Sequence, residues 1–159
     1  MFVEIDYATD INAKYGQLAS QLDALLTGES NRYANLSNAS ALLNQFFDRI
    51  NWVGFYLLDN EELVLGPFQG LPACIRIPLG RGVCGTAAKT QESIIVPDVN
   101  AFPGHIACDA ASQSEIVVPL VKDGNLIGVL DIDSPELNRF TEDDRIGLES
   151  VVQVLVKHI

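Results

Sequence analysis

Three cysteines are the residues of this sequence best suited to chemistry. Cys74, Cys84 and Cys108 are an odd number of thiols, which argues against a framework of structural disulfides. Each could instead be a small buried hydrophobic residue. Cys108 lies on a predicted loop, however, and an accessible thiol with a second thiol nearby suits a reaction that ends in a disulfide. Redox chemistry on a small molecule is therefore the first hypothesis.

Cys84 lies in the segment Gly80-Arg-Gly-Val-Cys-Gly, just before a stretch from Thr86 to Lys89 that could be helical. A helix dipole and its free N–H groups favour a thiolate, so we expect Cys84 to be reactive. The same segment reads G-x-G-x-x-G, but it lies outside any predicted βαβ unit, and nearby acidic residues would repel a pyrophosphate. We therefore do not expect a dinucleotide to bind.

Zinc is the main competing use of three cysteines and a histidine. Structural zinc sites usually carry paired ligands such as C-x₂-C, whereas these cysteines are far apart in the sequence. His105 and Cys108 are the only close pair. We therefore predict no metal site and expect His105 to orient its loop or a substrate.

Alternation along the predicted strands places acidic and aromatic side chains together. Trp52 and Tyr56 share one face of the first strand. Asp131 and Asp133 share one face of the last strand, and Glu115 can join them from the strand that pairs with it in the last hairpin. Crowded carboxylates beside an indole and a phenol would form a small-molecule pocket in which one carboxyl stays protonated. The alternative is that Asp131 faces water and Asp133 only helps to turn the chain.

These residues must be positioned by a sheet with helices before and after it. Apolar residues at three- and four-residue steps predict one helix over Tyr7–Leu26 and a second from a cap at Ser30 to Asp48. Thr141 and Asp144 predict a capped C-terminal helix. Between them, alternation and turn residues predict strands at 52–57, from 63, at 75–78, 93–97, 115–121 and 126–133. We expect one α+β domain over 1–159, with a central antiparallel sheet and the terminal helices on one face.

Composition narrows the classes of function. The formal net charge is −11 and there is no run of Lys or Arg, so we expect no nucleic-acid partner. The start of the chain lacks the pattern of a signal peptide, and no apolar stretch is long enough for a membrane span. We expect a soluble cytoplasmic protein that does not bind membranes.

A series of short motifs runs through the chain from about Ser30 to its end. They are Asn51-Trp-Val-Gly-Phe-Tyr-Leu, Gly66-Pro-Phe-Gln-Gly, Gly82-Val-Cys-Gly-Thr-Ala, Val96-Pro-Asp-Val, Phe102-Pro-Gly-His-Ile-Ala-Cys-Asp, Ser114-Glu-Ile-Val-Val-Pro and Leu130-Asp-Ile-Asp-Ser. In this order they resemble the free methionine-(R)-sulfoxide reductases, a branch of the GAF-domain superfamily. The three cysteines together with the segment from Phe102 to Asp109 are the most specific part.

The resemblance implies an enzyme that reduces free L-methionine (R)-S-oxide, needs no cofactor, uses thioredoxin as the final thiol donor and forms a homodimer. Cys108 resembles the attacking cysteine, and Cys84 and Cys74 resemble the resolving pair. The remaining matched residues divide into an aromatic wall around the methyl sulfoxide end, and polar groups for the amino group and sulfoxide oxygen. These are Trp52 and Tyr56 for the wall, and Glu115, Asp131 and Asp133 for the polar groups.

The residue types agree with that chemistry. A sulfoxide is a poor electrophile until its oxygen is protonated, so one of Glu115, Asp131 or Asp133 would supply a proton as the Cys108 thiolate attacks sulfur. A sulfenic acid would then form on Cys108 and condense with a neighbouring thiol. The alternative hypothesis is a GAF module that senses a small molecule or redox state without turnover.

Overall fold

The computed structural model describes residues 1–159 and contains four α-helices and one six-stranded sheet. The helices are α1 (Ile11–Leu26), α2 (Arg32–Phe46), α3 (Gly82–Thr90) and α4 (Glu142–Leu155). The strands are β1 (Trp52–Asp59), β2 (Glu62–Gly70), β3 (Arg76–Pro78), β4 (Ile94–Val96), β5 (Ser114–Lys122) and β6 (Asn125–Ser134). All neighbouring strands are antiparallel, in the order β3-β2-β1-β6-β5-β4. The predicted α+β fold is confirmed.

None of the helices has both the length and the apolar character that a membrane span requires.

One face of the sheet carries the larger apolar core. Val53 and Phe55 of β1 and Ile132 of β6 are fully buried there. They belong to the same cluster as Leu18 of α1 and Leu148 of α4, and α2 contributes further leucines. The terminal helices therefore pack on one face of the sheet, as predicted, and burial of their apolar stripes drives this layer together.

The opposite face of the sheet is covered by α3, which lies against β5 and β6. Val83 and Ala87 of α3 are buried in a second cluster with Trp52 and Tyr56 of β1 and Val117 of β5. Side chains alternate along each strand, so this face receives every second residue of β1, β5 and β6. The second cluster is therefore where the predicted site residues of the strands lie.

The first two helices begin later than the sequence pattern predicts. Asp10 caps α1, and its side chain accepts a hydrogen bond from the Ala13 N–H. Asn31, rather than Ser30, caps α2, because the Asn31 side chain accepts from the Ala34 N–H at 3.0 Å. The predicted cap at Ser30 is wrong by one residue, and α2 ends at Phe46 rather than Asp48.

The predicted capping box at the start of α4 is confirmed. Asp144 accepts from the Thr141 N–H at 2.9 Å, and the Thr141 side chain accepts from the Asp144 N–H. The other carboxylate oxygen of Asp144 accepts from the Tyr15 hydroxyl at 2.7 Å. The start of α4 is thereby fixed to α1. The Tyr15 ring also covers Gly147, where an added Cβ would collide with ring carbons.

We expect Gly147→Ala to lower the free energy of unfolding by about 1–3 kcal/mol, because overpacking against Tyr15 outweighs the better helix propensity of alanine. Gly16→Ala is the matched control: on α1 its Cβ would meet nothing within 4 Å, and it should stabilise by about 0.5–1 kcal/mol. Urea unfolding measures both changes. Equal effects of the two substitutions would contradict this packing.

Candidate active site

The register of the last two strands brings three carboxyl groups together. Glu115 of β5 is paired with Asp133 of β6, and Val117 is paired with Asp131, so all three acids lie on the face covered by α3. Glu115 is 5% exposed and Asp131 is 6% exposed. The alternative in which Asp131 faces water is therefore wrong. Asp133 is half-buried and is paired with Trp52 of β1.

Burial raises the pKa of each of these three carboxyls above its usual value. Burial, followed by the charge of Asp133, raises the pKa of Glu115 to about 8. Burial and then the charge of Glu115 raise the pKa of Asp131 well above its usual range. Burial and the charge of Asp131 do the same to the pKa of Asp133. The group therefore retains protons near neutral pH and can act as an acid.

Cys84 lies in the first turn of α3, which begins at Gly82 rather than at Thr86, and its thiol keeps its proton. Burial, then the charges of Asp131 and Glu115, raise the pKa of the Cys84 thiol well above its usual value. Its sulfur lies 3.9 Å from Oε1 of Glu115 and donates to it. The expected lowering of the pKa by the helix dipole is wrong, because burial of the thiol and, after it, the acids on the facing strands outweigh a partial charge at a helix end.

The structure joins Cys74 and Cys108 in a disulfide, with their Cα atoms 5.6 Å apart. Cys74 lies between β2 and β3, and Cys108 lies on the segment before β5. Cys84 is the remaining free cysteine and is buried. The sequence left both Cys74 and Cys84 open as partners of Cys108. In the structure, Cys108 is bonded to Cys74.

The aromatic residues hold the segment that carries Cys74. The rings of Trp52 and Tyr56 are stacked, with centroids 5.9 Å apart. The Trp52 indole N–H donates to the carbonyl of Leu71 at 3.1 Å, and the Tyr56 hydroxyl donates to the carbonyl of Cys74 at 3.0 Å. These side chains therefore form a wall of the site and also fix the backbone of Cys74.

Phe68 supports this wall by packing on Trp52, and it was missed by the sequence reasoning. Its ring stacks on Trp52, with centroids 5.2 Å apart. Phe68 faces Gly54 across β1 and β2, and a Cβ at Gly54 would collide with both Phe68 and the indole. The glycine within the motif that contains Trp52 was the available signal, because a glycine inside a strand often marks a close approach.

Asn51 anchors the segment that carries Cys108, and it too was missed. Its side-chain amide donates to Oδ2 of Asp109 at 3.0 Å and to Oγ of Ser112 at 3.1 Å. Its backbone N–H donates to the carbonyl of Asp133 at 2.9 Å. Asn51, directly before β1, thus links the Cys108 segment to β6, the strand that carries Asp131 and Asp133.

His105 lies beside the acidic group, where the sequence analysis expected it to orient its loop or a substrate. Its Nε2 lies 3.7 Å from Oε2 of Glu115. Burial lowers the pKa of His105, and the charge of Asp131 partly offsets this effect. The imidazole is therefore mainly neutral at pH 7 and can accept or donate one hydrogen bond.

A single pocket is lined by every predicted site residue except Cys74, which is bonded to one of its lining residues. The predicted residues in its wall are Trp52, Tyr56, Cys84, Cys108, Glu115, Asp131 and Asp133. The sulfur of Cys108, carboxyls with raised pKa values and a stacked aromatic wall thus line one pocket. This arrangement can hold a small cationic ligand, protonate it and exchange electrons with it through a thiol pair.

We expect Asn51→Ala to reduce the equilibrium constant for forming the Cys74–Cys108 disulfide about tenfold, because two hydrogen bonds of about 0.5–1.5 kcal/mol each no longer hold the Cys108 segment. Equilibration in glutathione buffers measures this constant. Asn100→Ala, an exposed asparagine just before the same segment, is the control and should leave the constant unchanged. Identical constants for Asn51→Ala and the wild type would contradict the anchoring role.

We expect the melting temperature to fall as pH rises from about 5 to 8. The folded-state pKa of Glu115, about 8, lies above its usual 4.5, so the folded state binds a proton that the unfolded state has lost, and stability decreases across this window. Glu115→Gln cannot ionise and should make the fall shallower. The control Glu61→Gln, on an exposed turn, should keep the wild-type slope. A flat wild-type profile would contradict the raised pKa.

Comparisons with known proteins agree with this geometry. Residues 36–157 match the GAF domain family. The free methionine-R-sulfoxide reductase of Escherichia coli (strain K12) is 54% identical over 143 residues, which cover 90% of this chain and 87% of that protein. The protein of the same name from Saccharomyces cerevisiae is 44% identical over 163 residues, covering 96% and 91%.

Solved structures agree as well. The free methionine-R-sulfoxide reductase of Neisseria meningitidis, solved in complex with its substrate, superposes with a TM-score of 0.94 at 46% identity, covering 99% of this chain and 95% of that one. The fRMsr of Staphylococcus aureus in its reduced form superposes with a TM-score of 0.88 at 51% identity, covering 99% of both chains. The resemblance found in the sequence motifs is confirmed, and the chain belongs to the free methionine-R-sulfoxide reductases of the GAF-domain family.

Proposed function

We propose that this chain reduces free L-methionine (R)-S-oxide to L-methionine, with the Cys108 sulfur as the nucleophile. The observation that carries the proposal is that Cys108, disulfide-bonded to Cys74, lines the same pocket as the buried acids Glu115 and Asp131. Two relatives that share about half of their residues with this chain carry the name of that activity. The chain is thus a thiol-dependent oxidoreductase that acts on a sulfoxide.

The acidic group binds the α-ammonium of the substrate. Oδ1 of Asp131 is buried and has no hydrogen-bond partner, so a cationic donor would satisfy it. An ammonium there also offsets the repulsion between Asp131 and Asp133. A methionine within a peptide lacks this charge and would leave the acids unpaired, so the pocket selects the free amino acid. Trp52 and Tyr56 form the apolar wall for the methyl sulfoxide end.

Proton transfer makes the sulfoxide reactive. Glu115, with a pKa of about 8, keeps its proton at pH 7, and we assign to it the transfer of this proton to the sulfoxide oxygen. The Cys108 thiolate attacks the sulfur, the S–O bond breaks, and the oxygen passes to Cys108 as a sulfenic acid while methionine leaves. The substrate is reduced by two electrons and Cys108 is oxidised by two.

Cys74 then resolves the sulfenic acid. Its thiol attacks the Cys108 sulfur, a water molecule leaves, and the disulfide forms that the structure holds. We assign this step to Cys74 rather than to Cys84, because the Cys84 thiol keeps its proton and donates a hydrogen bond to Glu115. Cys84 thereby helps to hold Glu115 in the pocket.

A protein dithiol must reopen the disulfide, and we propose thioredoxin, as the family resemblance implies. Thioredoxin keeps thiols reduced in the cytosol, so this step also supports a cytoplasmic location. We further propose that the chain acts as one domain in a homodimer and binds neither nucleic acid nor membranes. The reaction as written uses only thiols and carboxyls and needs no metal, flavin or nicotinamide.

Turnover of free methionine sulfoxide with thioredoxin as reductant tests the function directly. We expect the (R) epimer to be consumed and the (S) epimer to remain, as resolved by chiral chromatography. N-acetyl methionine sulfoxide is the control, because acylation removes the ammonium charge as a peptide bond does, and it should be turned over at least about 100-fold more slowly. Absence of turnover with either epimer would favour the sensor hypothesis instead.

Variants of the three cysteines separate their roles. Cys108→Ser should form no methionine. Cys74→Ser should form one equivalent per chain and then stop with thioredoxin, because no disulfide can follow the sulfenic acid. Cys84→Ser should continue to cycle at a reduced rate. The opposite pattern, with Cys74→Ser cycling and Cys84→Ser stopping, would transfer the resolving role to Cys84.

A further inference from the structure

A thiol and two carboxyl groups converge in the wall of the pocket in a geometry that goes beyond what the reaction needs. The Cys84 sulfur and one oxygen each from Glu115 and Asp131 all lie within 4.8 Å of one another. The three residues come from α3, β5 and β6, and each is at least nine-tenths buried. His105 adds a fourth donor atom, with Nε2 at 3.7 Å from the other oxygen of Glu115.

An unsatisfied acceptor points to a cation within this group. Oδ1 of Asp131 is buried without a hydrogen-bond partner, although burying such an oxygen costs free energy unless something pairs with it. The hydrogen bond from the Cys84 thiol goes to Oε1 of Glu115, so it does not pair this oxygen. The substrate ammonium is one cation that fits there, and a metal ion is another.

The donor set selects the kind of ion. A thiolate sulfur is a poor ligand for Mg²⁺ or Ca²⁺, which take sets of oxygen atoms. Sulfur, imidazole nitrogen and carboxylate oxygen are together the usual ligands of Zn²⁺ and of softer divalent ions. Small shifts of buried side chains would bring ligand atoms now within 4.8 Å into a first coordination sphere.

We propose that Cys84, Glu115 and Asp131 form an inhibitory site for a thiophilic divalent cation such as Zn²⁺, with His105 as the fourth ligand. Bonds form between the metal and the Cys84 sulfur and the oxygens of Glu115 and Asp131, the thiol and carboxyl protons are released to solvent, and no atom is oxidised or reduced. The bound ion occupies the place of the substrate ammonium and ties up Glu115. Metal binding and substrate binding are therefore mutually exclusive.

The disulfide form allows a clean test, because Cys84 is then the only free thiol. No reductant has to be added, so none competes with the protein for the metal. We would titrate the oxidised protein with Cd²⁺ alone and record the ultraviolet charge-transfer absorption of a cadmium–thiolate bond. One Cd²⁺ per chain should produce this band, and Cys84→Ser should abolish it. No band in the wild type, or an equal band in Cys84→Ser, would overturn the proposal.

Substitution of a carboxyl separates coordination from general attraction. Asp131→Asn should weaken Cd²⁺ binding at least about tenfold, since even outer-shell partners of a metal site are worth that much. Asp133→Asn is the matched control: it removes a neighbouring carboxyl that is not one of the three ligands and should weaken binding less than Asp131→Asn does. Equal losses in the two variants would contradict direct ligation. Since this titration involves no substrate, its failure would leave the proposed reductase activity intact.

Discussion

The site depends on two buried carboxyls, a third that is half-buried, and one buried thiol, all between α3 and the last two strands. Glu115 and Asp131 are almost fully enclosed, and Asp133 is paired with Glu115 across the strands. Ionising all of them in this space would cost too much free energy, so protons remain bound near neutral pH. A site built this way combines an acid for catalysis with a strong preference for a cationic ligand.

The other parts of the fold keep this group close to the redox pair. The larger core on the opposite face fixes the register of β1, β5 and β6. A slip of one residue would move the acids into this apolar core, against α1, α2 and α4. Trp52 and Tyr56 then hold the segment of Cys74 through its backbone carbonyls, and Asn51 holds the segment of Cys108. Two loops without regular structure are thereby brought within bonding distance over the acids.

Alternation and turn residues were sufficient to predict the strands and the face on which each site residue lies. Asp131 and Trp52 could be placed on one face because side-chain direction in a strand has a period of two. The pairing of Cys74 with Cys108 could not be predicted, because neither loop has a periodic pattern that fixes its position. The thiol pKa of Cys84 was mispredicted for a related reason: its helix position is local, whereas the burial and the acids that raise the pKa come from the packing of distant strands against α3.

The central claim is that this pocket holds a protonated carboxyl at neutral pH. Carbon-13 NMR of the side-chain carboxyl carbons of Glu115, Asp131 and Asp133, recorded across pH 4 to 10, tests it directly. We predict that at least one of the three remains protonated at pH 7, with the Glu115 signal titrating near pH 8. If all three carboxyls are already ionised at pH 6, the proposed proton donor does not exist and the mechanism is wrong.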